Sequence, residues 1–211
     1  RSYYTDNIKN KWDAVEKLDT KLLGTLYHES HYRNLKARIF RKKKRLLLGM
    51  PAVSFGFSET IKKLRTNLSY FHDKNNGKVV LVTSYDKKEG KTTLAANLAF
   101  ATQQRKQKVL VIPGTENTSS LYDILNIDPA KAKGNSQKNT FSDMIYTKKD
   151  SYLSILTGIP KPYSNFSICI SSEEFRIFIE QAKALYDYII IDGPDAKSSS
   201  NTEVFEKLSD F

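Results

Sequence analysis

Cysteine is nearly absent from this sequence. Cys169 is the single one in 211 residues, which excludes an intrachain disulfide framework, a cysteine-ligated zinc site and an iron–sulfur centre held by paired thiolates. A small buried hydrophobe in a reducing compartment is its expected role. Long apolar runs are missing too: no stretch of the sequence approaches the roughly 20 residues that a bilayer-spanning helix needs, and no charged-then-apolar leader opens the chain. Acidic residues are outnumbered. With 34 Lys and Arg against 23 Asp and Glu, the formal net charge is +11, which favours polyanions, whether nucleic acid, anionic lipid or nucleotide phosphate, without choosing among them.

What is present suffices for one full domain core, with 39% hydrophobic residues of which many are aromatic. The chain opens on Arg1 and closes on Phe211 just after a helical pattern, so a piece of a longer protein is expected. Residues 13–23 are compatible with a helix. Between residues 36 and 45, seven of ten positions are Lys or Arg, which reads as a solvated face or loop, or as a segment that lies on a membrane surface or binds phosphate. The periodicity of Ile61, Leu64, Leu68 and Phe71 predicts an amphipathic helix over 58–71 with Ser58 as N-cap, ending in the turn-prone run 73–77.

Four short apolar runs follow, at 79–83, 109–112, 153–156 and 188–191, rich in β-branched residues and separated by helical stretches at 93–104, 119–125 and 172–185. Runs that are apolar on both faces suit strands of a parallel sheet covered on both sides by helices. The fold class expected is a doubly wound α/β domain with a mostly parallel sheet.

The first run leads into Ser84-Tyr85-Asp86-Lys87-Lys88-Glu89-Gly90-Lys91-Thr92-Thr93 and then an apolar helix. Strand, loop, Gly-Lys-Thr and helix is the arrangement in which backbone N–H groups and a helix N-terminus cradle phosphates. A lysine reaches the β/γ oxygens and a hydroxyl ligates Mg²⁺. Glu89, Gly90, Lys91, Thr92 and Thr93 are the nucleotide-binding candidates, although Tyr85 stands where a full Walker A motif begins with glycine. The run at 188–191 ends in Asp192-Gly193-Pro194. A carboxylate at the C-terminal edge of a parallel sheet beside such a loop can hold Mg²⁺, so Thr92 and Asp192 form the candidate metal pair.

In these motifs and their order the chain resembles the bacterial tyrosine kinases (BY-kinases), the Wzc-like cytoplasmic domains of polysaccharide co-polymerases. Lys21-Leu22-Leu23-Gly24-Thr25-Leu26 resembles the family's leucine-glycine strand. Glu59, Lys62 and Arg65 hold the spacing of its ExxRxxR helix, with lysine for the first arginine. Ser120-Leu121-Tyr122, Thr140-Phe141-Ser142-Asp143, Thr157-Gly158 and residues 187–194 match later landmarks. The resemblance implies a P-loop NTPase of the deviant Walker A class, ATP or ADP with Mg²⁺, and self-assembly or pairing with a partner kinase through Glu59, Lys62 and Arg65. It further implies a transmembrane co-polymerase segment and an anionic membrane surface as partners, at the cytoplasmic face of the bacterial plasma membrane. Residues 1–50 would be the juxtamembrane basic segment and 51–211 the P-loop domain, with a last strand and tyrosine-rich tail beyond Phe211.

The chain departs from that family at the second strand, where Asp-x-Asp-x-Arg is replaced by Pro113-Gly114-Thr115-Glu116-Asn117. Both aspartates and the arginine are gone. Side-chain alternation along a continuing strand would turn Glu116 away from the site, and a loop carrying Glu116 or Asp123 is the remaining source of a substitute carboxylate. The expected function is therefore a nucleotide-binding regulatory domain, a pseudokinase. An active tyrosine autokinase is the alternative, as is a partition-type P-loop ATPase, whose signature lysine would fall at Asp86. Tyr3 and Tyr4 read as juxtamembrane aromatics. His28 and His31 have no evident third ligand with which to form a metal site, and no nucleic-acid-binding module is recognisable.

Overall fold

The computed structural model describes residues 15, 22–26, 29–30, 39, 45–51, 53–133, 139–197 and 199–210. Tyr3, Tyr4, Lys21, His28, His31, most of 13–23 and most of the basic run before Arg45 lie outside the described residues. In chain order the first elements are α1 (Phe55–Asn75), β1 (Val79–Ser84), α2 (Lys91–Gln103), β2 (Val109–Pro113), α3 (Ser119–Leu125) and α4 (Pro129–Lys133). A 3-10 turn (Ser142–Met144) leads into β3 (Ile145–Thr147), followed by β4 (Leu153–Leu156), α5 (Phe166–Ile170), α6 (Glu173–Leu185), β5 (Tyr188–Asp195) and α7 (Asn201–Leu208).

The five strands form one sheet in the order β1-β5-β2-β4-β3. β1, β5, β2 and β4 are parallel, and β3 closes the far edge antiparallel to β4. Successive strand residues turn to opposite faces, and both faces are covered. Val80, Val82, Val109, Val111, Ile155 and Ile190 pack against α2 and α3. Leu110, Ile112, Ile189 and Ile191 pack against Phe175, Phe178 and Ile179 of α6 and Phe205 of α7. This two-sided burial is why the strand segments read as continuous apolar runs. The alanines of α2, with Ala95, Ala96 and Ala99 fully buried, let that helix approach the sheet closely and so fix the loop that precedes it.

α1 begins earlier than its apolar periodicity predicts. Ser54, not Ser58, is the N-cap: its side chain accepts from the Phe57 N–H at 3.2 Å. The Ser58 hydroxyl already sits in the first turn and donates to the Ser54 carbonyl at 3.0 Å. The helix also runs through the expected turn to Asn75, and Asn76 ends it in the left-handed region, with φ 53° and its N–H on the His72 carbonyl.

Candidate nucleotide-binding site

The loop between β1 and α2 sits at the C-terminal edge of the sheet. Gly90 takes a left-handed conformation, φ 92°, which a side chain would strain, and α2 begins there with no side-chain cap on its first N–H groups. Donors at the start of a helix favour an anion. The Lys91 ammonium donates to Ser84 Oγ at 2.7 Å and to the Asp86 carbonyl at 3.2 Å, so it lies across the loop. Glu89 shapes the same turn by accepting from the Asp86 N–H at 3.1 Å. The Asp86 carboxylate accepts from the Lys87 N–H and pairs with Lys197 at 3.0 Å, contacts that hold its pKa below the usual value.

Asp192 stands beside this loop because β5 lies between β1 and β2, in register with Val82 on one side and Pro113 on the other. Burial pushes its pKa up to about 6, opposed by a hydrogen bond from Thr92 and by the charge of Lys91. One carboxylate oxygen, Oδ1, is buried with no hydrogen-bond partner. A buried orphan oxygen next to a threonine hydroxyl suits a hard divalent cation. Among the described residues no group of three or more His, Cys, Asp or Glu could hold a metal. A cation here would draw its remaining ligands from phosphate and water, as Mg²⁺ does.

At the corresponding end of β2 the strand stops at Pro113, and Thr115 and Glu116 are exposed in the loop beyond it. The alternation argument for Glu116 does not apply, since there is no continuing strand; its side chain lines a cavity of about 180 Å³ with Pro113, Thr115, Leu156, Thr157 and Phe166. Asp123 lies on α3 and faces Arg45, 3.8 Å away. On α1, Glu59 and Lys62 are exposed and pair with each other at 2.8 Å. Arg65 is half-buried, donates to Thr66 Oγ1, and has its Nε buried without an acceptor among the described residues.

Two residues at the site were missed from sequence. Asn97, fully buried on α2, donates to the carbonyls of Leu46 and Thr93 and accepts from the Leu48 N–H, each at 2.7 Å. Its only sequence signal is a polar side chain within an Ala/Leu helix face. Arg45, concealed in the basic run, lines a cleft of about 320 Å³ with Lys88, Lys91, Thr92, Thr93 and Asp123.

No protein-family model matches the chain. It is 29% identical over 153 residues to CapB of Staphylococcus aureus, covering 72% of this chain and 67% of CapB. It is 27% identical over 165 residues to the tyrosine-protein kinase YwqD of Bacillus subtilis, covering 72% of this chain and 65% of YwqD. The chain thus spans about two thirds of the length of these curated relatives. In fold it is similar to the chimerical protein CapA2B2, with a TM-score of 0.67 at 23% identity over 95% of this chain and 82% of the other. The BceF tyrosine kinase domain gives 0.71 at 19% identity, over 93% and 81%. The likeness in sequence to CapB and YwqD, together with a fold shared with these kinase-domain structures, supports a cytoplasmic domain of the bacterial tyrosine kinase (BY-kinase) type.

Proposed function

We propose that the domain binds Mg²⁺ with ATP or ADP and acts as a regulatory module of a capsule or exopolysaccharide co-polymerase, with little phosphotransfer of its own. The observation that carries this reading is the pairing of a Gly-Lys-Thr loop at a helix start with a second strand that lacks carboxylates. Lys91, Thr92 and Asp192 converge at one sheet edge, whereas Pro113 and Thr115 occupy the positions where the family places aspartates. Glu89 shapes the loop, Gly90 and Thr93 open the helix, and Lys91 balances phosphate charge. Thr92 and Asp192 would hold the cation, which neutralises charge on the phosphates.

Removal of a general base typically lowers a rate by about 10² to 10⁴. Neither Pro113 nor Thr115 can take a proton from a tyrosine hydroxyl, so nucleotide binding outlives chemistry in this reading. Residues 1–50 serve as a juxtamembrane segment whose cations before Arg45 rest on anionic lipid at the cytoplasmic face of the plasma membrane, and 51–211 as the P-loop domain. Glu59, Lys62 and Arg65 meet a neighbouring copy or a partner kinase. These assignments rest on the resemblance and on the exposure of Glu59 and Lys62.

Calorimetric titration with Mg·ADP tests the site: heat from the parent and none from Lys91→Met is expected, and equal heats from both overturn it. Phosphotyrosine formation in the full-length protein tests the inactive reading. The parent should give no Lys91-dependent signal, and a signal in the Pro113→Asp/Thr115→Asp variant alone supports it. Robust Lys91-dependent labelling of the parent would establish an active tyrosine autokinase instead.

A further inference from the structure

We propose that Arg45 is a phosphate-binding residue of the nucleotide cleft, held at its rim by Asp123. The inference rests on the reading of that cleft as the nucleotide site and adds a cation supplied by the segment before the domain.

The backbone that carries Arg45 is fixed. Leu46, Leu47 and Leu48 are buried, and Asn97 takes the Leu46 carbonyl and the Leu48 N–H at 2.7 Å each. Arg45 is the residue immediately before this anchored stretch, so its side chain starts from a defined point beside the first turn of α2. From there it reaches the cleft shared by Lys88, Lys91, Thr92 and Thr93.

Among the described residues, three cations, Arg45, Lys88 and Lys91, line this one cleft, and Asp123 is the single acidic residue lining it. Like charges gathered around a concavity raise the local potential and attract a polyanion. The Arg45 guanidinium has spare capacity for one. Its side chain is 33% exposed where it lines the cleft. Its ion pair with Asp123 spans 3.8 Å, beyond hydrogen-bond range, and the Asp123 side chain is 78% exposed. A long, solvated pair of this kind contributes little and exchanges readily. A planar guanidinium offers phosphate two parallel donors, which an ammonium cannot. Arg45 therefore fits the role of a second clamp on phosphate, with Asp123 as its competitor.

Titration of the chain with Mg·ADP is the test, run on Arg45→Ala, Arg45→Lys, Asp123→Asn and the Arg45→Ala/Asp123→Asn double variant. Loss of a charge-assisted contact should weaken binding about tenfold in Arg45→Ala, with part of the affinity kept in Arg45→Lys. Asp123→Asn should tighten binding about two- to threefold, and this gain should vanish when Arg45 is absent. A merely structural Arg45–Asp123 pair gives no such tightening. Parent-like affinity in Arg45→Ala, or the same effect of Asp123→Asn with and without Arg45, overturns the proposal alone. Absence of Mg·ADP binding in the parent overturns it together with the reading on which it rests.

Discussion

The backbone N–H of Gly114 donates to the carbonyl oxygen of Asp192 at 2.8 Å, which ties the end of β2 to the strand that carries the candidate metal ligand. The contact leaves no room for a side chain. A Cβ on Gly114 would lie 2.8 Å from the Asp192 carbonyl oxygen and 2.9 Å from the Gly193 Cα, both backbone atoms that cannot rotate away. Gly114→Ala is therefore expected to cost about 1 to 3 kcal/mol and to displace Asp192. Chemical denaturation together with Mg²⁺ dependence of ADP binding measures both effects, and parent-like values in each would refute the close packing.

Asp192 makes the apo fold sensitive to pH in a defined direction. Its pKa is raised by burial from an ordinary 3.8 to about 6. Between those values the folded chain keeps a proton that the unfolded chain has released, so stability falls as pH rises through the window and levels off above about 6. Asp192→Asn removes the cost of the buried charge. The variant should be more stable than the parent by about 2 to 3 kcal/mol at pH 7.5, with the difference disappearing near pH 4. Melting curves at the two pH values decide it; a gain of equal size at both would show that the charge is not the cause.

Asn97 joins the segment before α1 to the helix after the loop. Asn97→Ala leaves the Leu48 N–H and the Leu46 carbonyl without their partners in a buried setting. Unsatisfied buried groups cost about 1 to 3 kcal/mol each. The amide of Leu48 should exchange with deuterium much faster in the variant, while amides in β5 keep their protection. Unchanged exchange at Leu48 would mean that other contacts hold the segment.

Phe205 is fully buried and packs edge-on to Phe175, 6.3 Å between ring centroids, so α7 is fastened to α6 by an aromatic contact over the sheet face away from α2. Truncation to alanine leaves a cavity, and Phe205→Ala should lower stability by about 3 to 5 kcal/mol. Because the residue is on the opposite face from the loop, Mg·ADP affinity measured well below the melting temperature should remain that of the parent.

The sheet strands and the phosphate loop were legible because each has a local chemical signature. A strand buried on both faces must be apolar throughout, and Gly90 answers a backbone conformation that few other residues adopt. Very short elements and long-range contacts were not. β3 is three residues long and owes its existence to antiparallel pairing with β4, Ile145 opposite Leu156 and Thr147 opposite Ser154. Three residues are too few to show a strand's alternation in the sequence. Helices of five residues at Pro129–Lys133 and Phe166–Ile170 are too short to show a period. α1 starts a turn before the expected cap at Ser58, because its N-cap Ser54 lies well ahead of Ile61, the first of the periodic apolar residues. That start is fixed partly by Glu29, whose carboxylate accepts from the Ser54 N–H and hydroxyl across 25 residues of chain. At the site, the loop residues were visible as a motif, whereas Arg45 and Asn97 become neighbours of that motif only through the fold.

One consequence of the Asn97 contacts is mechanical. Leu46, the residue directly after Arg45 at the end of the basic run, accepts the first of those bonds, and the same amide group holds the Thr93 carbonyl in the opening turn of α2. With Leu46, Leu47 and Leu48 all buried, no slack loop lies between the two. A tug or twist applied to the chain upstream is thus geared directly to the turn that presents Lys91 and Thr92, in the way a short rigid coupling passes on torque that a flexible cord would absorb.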